Sequence, residues 1–500
     1  MSVHFPAYSR SIRRSLLGAL ALMLAGCAVG PDFKRPTPPA DKDYGRAPMS
    51  GETQGSGGAG GAAQRFLAER DIPADWWRLF QSEPLNQLVT QALKDNPDVA
   101  AAQAGLRQAN ELYAAQRATL FPTLQGGFSA QRAKNAVGTI ANPTNLPQQN
   151  PYYNLFTAQL SLTYTPDVFG GTRRAIEITQ AQAQGMRFQL EATYLTLSSN
   201  VVVTAVQEAA LRAQISATER LLAVQQELTR TVEGQKGYGT ASQLDLFAQQ
   251  ASEAQTRATL PPLNKQLAQT RDALTALLGR LPAQEPAATF RLEDLTLPEE
   301  LPVSIPSHLI EQRPDVRQAE ANLHAASAAV GVAIADMLPQ FSLTAQTGSS
   351  ALQISQLFTS YTGFWGAGAS LTQTLFDAGA LLHRKRAAEA ALDQAGAQYR
   401  AAVILACQNV ADTLHALQAD AETLNAALAA QQAASGAFEI ARQQRTLGTI
   451  STVALLNTEQ TYQQAVLTVV QARANRYADT AALFQALGGG WWNRPGGATR

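Results

Sequence analysis

The chain repeats itself. Pro97-Asp98-Val99 recurs as Pro314-Asp315-Val316, and 25 residues after the proline of each motif stands a second one, Pro122 and Pro339. Gly239-Thr240 is echoed by Gly448-Thr449, each pair beginning 40 residues ahead of a further glycine, Gly279 and Gly488. The offset is 217 residues for the first pair and 209 for the second, so the halves differ mainly in the loop between them. A unit of roughly 200 residues is far longer than the about 20–50 residues of solenoid repeats. The 500 residues are therefore expected to form two similar halves of one architecture rather than two or three unrelated domains.

The N-terminus carries the sharpest local signal. Arg10, Arg13 and Arg14 precede an apolar run from Leu16 to Leu24, too short to span a bilayer permanently, and the run ends in Leu24-Ala25-Gly26-Cys27. That tetrad resembles the lipobox of bacterial lipoproteins, in which the signal is cut before the cysteine and the cysteine is acylated, here giving N-palmitoyl and S-diacylglycerol groups on Cys27. Several acyl chains anchor far more firmly than one. Ala28 rather than aspartate follows, a pattern that in such lipoproteins implies passage to the outer membrane. With Cys27 acylated, Cys407 is the remaining thiol, so no internal disulfide is expected. Lys plus Arg and Asp plus Glu balance at 39 each, and loss of the signal arginines leaves a mildly acidic chain with nothing to suit nucleic acid.

Residues 28 to about 75 are rich in proline and glycine and read as a flexible tether. Gly55-Ser56-Gly57-Gly58-Ala59-Gly60 formally matches GxGxxG, but no strand precedes it, so a linker is the expectation rather than a dinucleotide site. The boundaries follow: 1–26 signal, 27–75 lipidated tether, 76–280 first repeat, 281–307 proline-rich crossover, 308–488 second repeat, 489–500 tail. Each repeat reads as helix, strand, strand, very long helix, helix, with hairpins over about 122–165 and 339–374 and long helices over about 172–279 and 380–487.

The strands alternate. Phe156, Ala158, Leu160, Leu162 and Tyr164 interleave with Thr157, Gln159, Ser161, Thr163 and Thr165, a period of two with one apolar and one polar face. Phe341, Leu343 and Ala345 repeat the pattern, as do Trp365, Ala367, Ala369 and Leu371 against Gly366, Gly368, Ser370 and Thr372. Strands of about ten residues beside an outer-membrane anchor suit a barrel with lipid outside and water inside. The helical stretches are nearly free of proline and far exceed the average of about 11 residues, implying coiled-coil-like packing. Pro261-Pro262 should break or bend the second of them.

Four membrane strands cannot close a barrel, since outer-membrane barrels need at least about eight. The chain must oligomerise. Pro306-Ser307-His308-Leu309-Ile310-Glu311-Gln312-Arg313-Pro314-Asp315-Val316, then Met337-Leu338-Pro339-Gln340-Phe341-Ser342-Leu343, the Trp76-Trp77 segment, and Cys27-Ala28-Val29-Gly30-Pro31-Asp32-Phe33 resemble the TolC-like outer membrane factors of the NodT type. The resemblance implies a mainly α fold with a small transmembrane β part: a homotrimer whose α-helical barrel is topped by a twelve-stranded β-barrel, four strands per chain. It implies the outer membrane exit duct of a tripartite efflux pump, with a periplasmic membrane fusion adaptor and an inner-membrane transporter, of RND type, as partners.

On that reading Ser161, Thr163, Ser342 and Thr372 line the pore, and Leu160, Leu162, Leu343 and Leu371 face lipid. Tyr238, Gly239 and Thr240 with Leu447, Gly448 and Thr449 form periplasmic hairpin tips that meet the adaptor. Relatives close the duct with charge rings near these tips and commonly carry aspartate where this chain has Asn457. Arg445, Asn457 and Glu459 are the gate candidates, the two charged ones read otherwise as members of a solvated helix face. Export of proteins, or a helical scaffold lipoprotein without a pore, are the competing functions. An enzyme is not expected, because His308, His324, His383 and His415 lack metal-ligand spacing and neither GxSxG nor a Walker loop occurs.

Overall fold

The computed structural model describes residues 28–41, 43–45, 51–68, 70–134 and 152–494. Cys27, the signal before it and residues 495–500 lie outside them. Among the described residues the duplication appears as matched elements. The first repeat runs α1 (Glu83–Asp95), α2 (Pro97–Ala118), β2 (Thr123–Lys134), β3 (Tyr152–Tyr164), α3 (Gly171–Gly237) and α4 (Gln243–Leu277). The second runs α5 (Pro306–Gln312), α6 (Pro314–Ala335), β5 (Gln340–Ala351), β6 (Gly363–Thr372), α7 (Ala380–Thr446) and α8 (Thr452–Ala486). Helices α2 and α6 are both 22 residues long, α3 and α7 both 67, α4 and α8 both 35. Short strands β1 (Arg65–Ala68) and β4 (Glu300–Val303) pair in parallel.

The spacing seen in the sequence has a contact behind it. Gly279 and Gly488 end α4 and α8 at φ +71° and +94°, a left-handed conformation that glycine adopts without strain. A Cβ on Gly279 would lie 2.6 Å from the carbonyl oxygen of Asp95, and one on Gly488 2.6 Å from that of Gln312. Those carbonyls sit just before the two Pro-Asp-Val motifs, so each repeat closes its last helix on its first. The cap differs between copies: the Asn96 side-chain amide donates to Leu277 O at 3.0 Å, and the Arg313 guanidinium to Ala486 O at 3.0 Å.

The chain divides into two compact units. One takes the described residues up to 35, within 107–184 and within 320–398. It holds an antiparallel sheet of order β2-β3-β5-β6. It also holds the residues that follow Cys27. Val29 N–H donates to Phe169 O at 3.0 Å, and Arg174 donates to Val29 O at 3.2 Å and to the Asp32 carboxylate at 2.7 Å. Phe33 stacks on His324, and Arg35 pairs with Glu320.

The other unit takes the described residues within 36–106, 185–319 and 399–500. Its core is aromatic, with Trp76 and Phe80 fully buried and Trp76 stacked on Phe484 at 5.2 Å between centroids. Here the structure corrects the flexible tether. Buried Arg476 donates to Gly60 O at 2.7 Å and Ala62 O at 3.0 Å, and Gln64 Nε2 donates to Thr480 Oγ1 at 2.9 Å. The glycines let backbone approach the helix closely, which composition alone registers as looseness.

Helix α4 also runs unbroken through Pro261 and Pro262. The carbonyls of Arg257 and Ala258, which lose their N–H partners there, belong to exposed residues where solvent can take them. Residues 491–494 dock as well: Trp491 Nε1 donates to Gln312 O at 2.6 Å, Trp492 Nε1 to Asp71 Oδ1 at 2.9 Å, and Arg494 to Glu191 at 2.8 Å.

Candidate functional site

Strand register decides which side chains share a face, because directly opposed residues of an antiparallel pair point the same way. Leu124 opposes Leu162, which opposes Ala345; Tyr164 opposes Leu343, which opposes Ala369; Phe341 opposes Leu371. Leu160 opposes Thr347, which opposes Trp365. One face is therefore a sheet of leucine and aromatic side chains, and it is exposed: Trp365 keeps 82% of its surface and Leu124 65%. The other face carries Thr123, Gln125, Gln159, Ser161, Thr163, Ser342, Thr344, Gln346, Ser370 and Thr372. Ser161, Thr163, Ser342 and Thr372 thus lie together, and Thr157 Oγ1 meets Ser350 Oγ across two strands at 3.1 Å. Outer strands β2 and β6 leave unpaired edges among the described residues. An exposed apolar face with open edges is stable only against lipid or further copies.

The two hairpin tips are built identically. Gly239 N–H donates to Lys236 O and Thr240 N–H to Gln235 O, each at 2.9 Å. At the second tip Gly448 N–H donates to Arg445 O at 3.0 Å and Thr449 N–H to Gln444 O at 2.9 Å. Both threonine hydroxyls reinforce the same carbonyls, at 2.9 and 3.0 Å. The glycines sit at φ +77° and +74°, which closes the preceding helix and reverses the chain. Ser242 and Ser451 then cap α4 and α8. Around these turns Tyr238 (89% exposed), Leu447 (78%), Leu244, Phe247 and Val453 present apolar side chains outward.

The gate candidates separate. Asn457 is exposed, beside Ala427, Gln460 and Thr461 in a shallow groove. Arg445 is half-buried, its guanidinium 3.4 Å from Gln235 Oε1. Near it stands Asp245, whose carboxylate is held below its usual range by the Ser242 hydroxyl first and by Thr452 second, with the charge of Arg445 adding. Glu459 overturns the solvated-face reading: it is 1% exposed. Burial pushes its carboxyl up to about 7, opposed by the Gln225 amide alongside. Among the described residues neither carboxylate oxygen finds a hydrogen-bond donor of good geometry. Sequence reasoning missed Asp245, Gln225 and Gln249. The available signal was spacing, since Thr452, Leu455 and Glu459 fall at i, i+3 and i+7 on one buried stripe.

A profile of the family described as "Outer membrane efflux protein" matches residues 88–280 and 305–489. The chain is 30% identical over 480 residues to the pyoverdine export outer membrane protein OpmQ of Pseudomonas putida, covering 96% of this chain and 98% of that one. It is 27% identical over 476 residues to the cation efflux system protein CusC of Escherichia coli, covering 94% and 97%. The solved structure of the outer-membrane channel OprN superposes with a TM-score of 0.83 at 28% identity, over 93% of this chain and all of that one.

Proposed function

The chain belongs to the outer membrane efflux protein family and is the outer membrane channel of an efflux pump, and from its geometry we propose that it works as a homotrimer whose sheets close one twelve-stranded pore. The observation that carries this is the two-faced sheet. Among the described residues a single chain exposes an apolar face and two unpaired edges, and joining three copies edge to edge satisfies both while enclosing the polar face. Ser161, Thr163, Ser342 and Thr372 then line water, and Leu160, Leu162, Leu343 and Leu371 meet acyl chains. Cys27 carries the lipid. The helix hairpins end at tips that receive a periplasmic membrane fusion adaptor, through which an inner-membrane transporter of RND type loads the duct. Arg445 and Asn457 contribute to closing it.

The matched relatives are named for different cargoes, pyoverdine in one case and cations in another, although each aligns over nearly its whole length. This supports a duct that leaves cargo choice to the pump. The test is reconstitution in planar bilayers together with palmitate labelling. The purified chain should run as a trimer, conduct ions, and lose label on Cys27→Ser. A monomer that forms no channel would sink the trimeric-pore reading, and label retained on the serine variant would sink lipidation.

A further inference from the structure

Glu459 lies on α8 two turns past its capping serine, at a junction of three helices. Gln225 comes from α3 and Gln249 from α4; they are 1% and 0% exposed, and each leaves its side-chain oxygen without a donor among the described residues. Gln225 ties the group together. Its Nε2 donates to Ser252 Oγ at 3.2 Å, its backbone carbonyl accepts from Gln249 Nε2 at 3.4 Å, and its amide lies against the Glu459 carboxyl. Both Glu459 oxygens join two amide oxygens as acceptors short of protons. An ionised carboxylate so placed is expensive, whereas a carboxylic acid brings the missing donor.

Charged groups on the surrounding helices are engaged elsewhere. On α4, Glu253 accepts from Thr229 Oγ1 and pairs with Arg257. On α7, Glu439 pairs with Arg442, and Arg445 turns to Gln235. Glu227 of α3 is exposed, and the nearest titratable group on α8, Tyr462, stacks on Phe438. The shift on Glu459 comes from burial, opposed by the Gln225 amide alone.

We propose that Glu459 is a proton-operated latch: while its carboxyl is protonated α8 packs against α3 and α4, and when the proton leaves to solvent the packing near the hairpin tip loosens. This deepens the channel reading and rests on it, making the periplasmic pH an input to the closed duct. The direction follows from the carboxyl being raised from 4.5 to about 7 in the packed state. Packing is fully favoured below the lower value and is progressively lost as pH rises through the upper one.

The experiment compares wild type with Glu459→Gln, which keeps shape and burial but has no proton to lose. Amide exchange of α8 around residue 459, corrected for intrinsic pH dependence, should speed up about tenfold in the wild type between pH 6 and pH 8. The glutamine variant should remain protected throughout. In bilayers the wild-type channel should open more often as the pH on the helical side rises, and the variant should stay closed and flat. Identical pH profiles for the two proteins in exchange, or in conductance where both form channels, would overturn the latch. A wild type that never conducts yet shows the exchange difference would count against the channel reading and leave the latch standing.

Discussion

Two kinds of glycine with similar backbone angles carry different loads in this chain. Gly239 sits at φ +77° with open space where a Cβ would go, whereas Gly488 sits at φ +94° with the Gln312 carbonyl oxygen 2.6 Å from that point. A side chain at the first meets only the left-handed backbone, about 1–2 kcal/mol. At the second it must also push the start of a repeat off the end of its last helix. Gly488→Ala and Gly279→Ala should therefore lower the melting temperature of the purified protein well beyond Gly239→Ala or Gly448→Ala. Equal shifts at all four would remove the assigned closure. These positions were legible because one backbone requirement recurs at one spacing. The caps were not: Asn96 and Arg313 serve the same carbonyls with unrelated side chains, and no repeat comparison could align them by type. Glu459 was hidden for the opposite reason, since a charged letter on a helix reads as solvated until three helices are seen to close over it.

At the scale of elements, alternation read the strands well because each residue's face follows from parity alone. Register then adds what one strand cannot say, namely that Leu162 and Leu124 share a face with Ala345 while Thr163 shares the other with Thr344. Arginine in place of an outward leucine at mid-membrane costs about 2–4 kcal/mol. Leu162→Arg should reduce the yield of assembled trimer, while Thr163→Arg should assemble and change conductance and ion preference. The same assembly defect in both, measured by native gel and bilayer recording, would reverse or dissolve the faces. Elsewhere composition misled at this scale. Pro261-Pro262 looked like a break or a bend, and the break is absent: α4 continues where the freed carbonyls are exposed. A glycine-rich tract looked like free linker, yet Arg476 pins it, because its partners are backbone carbonyls that composition does not record.

For the whole molecule the constraint is reach. Helices α3 and α7, at 67 residues each, extend about 100 Å, several times the roughly 30 Å hydrocarbon core of a bilayer, and no helix among the described residues is apolar enough to cross one. Helices of that length far exceed what a bilayer needs, and they reverse at the turns of Gly239 and Gly448. Two tips per chain give six in a trimer, each closed by the same glycine and threonine pair and each edged with exposed apolar side chains. An outward Tyr238 and Leu447 on turns closed by glycine and threonine are unnecessary for folding, which favours a partner that covers them. A photo-crosslinking residue at 238 or 447 should capture the periplasmic adaptor in actively pumping cells, and the same residue at 160 or 371 should capture none. Moving Gly239 to alanine should weaken capture at 238 more than at 447, because only the first turn loses its shape. Adaptor captured from the strand positions, or from neither tip, would mean that the hairpins point elsewhere or that the pump grips the duct along its side.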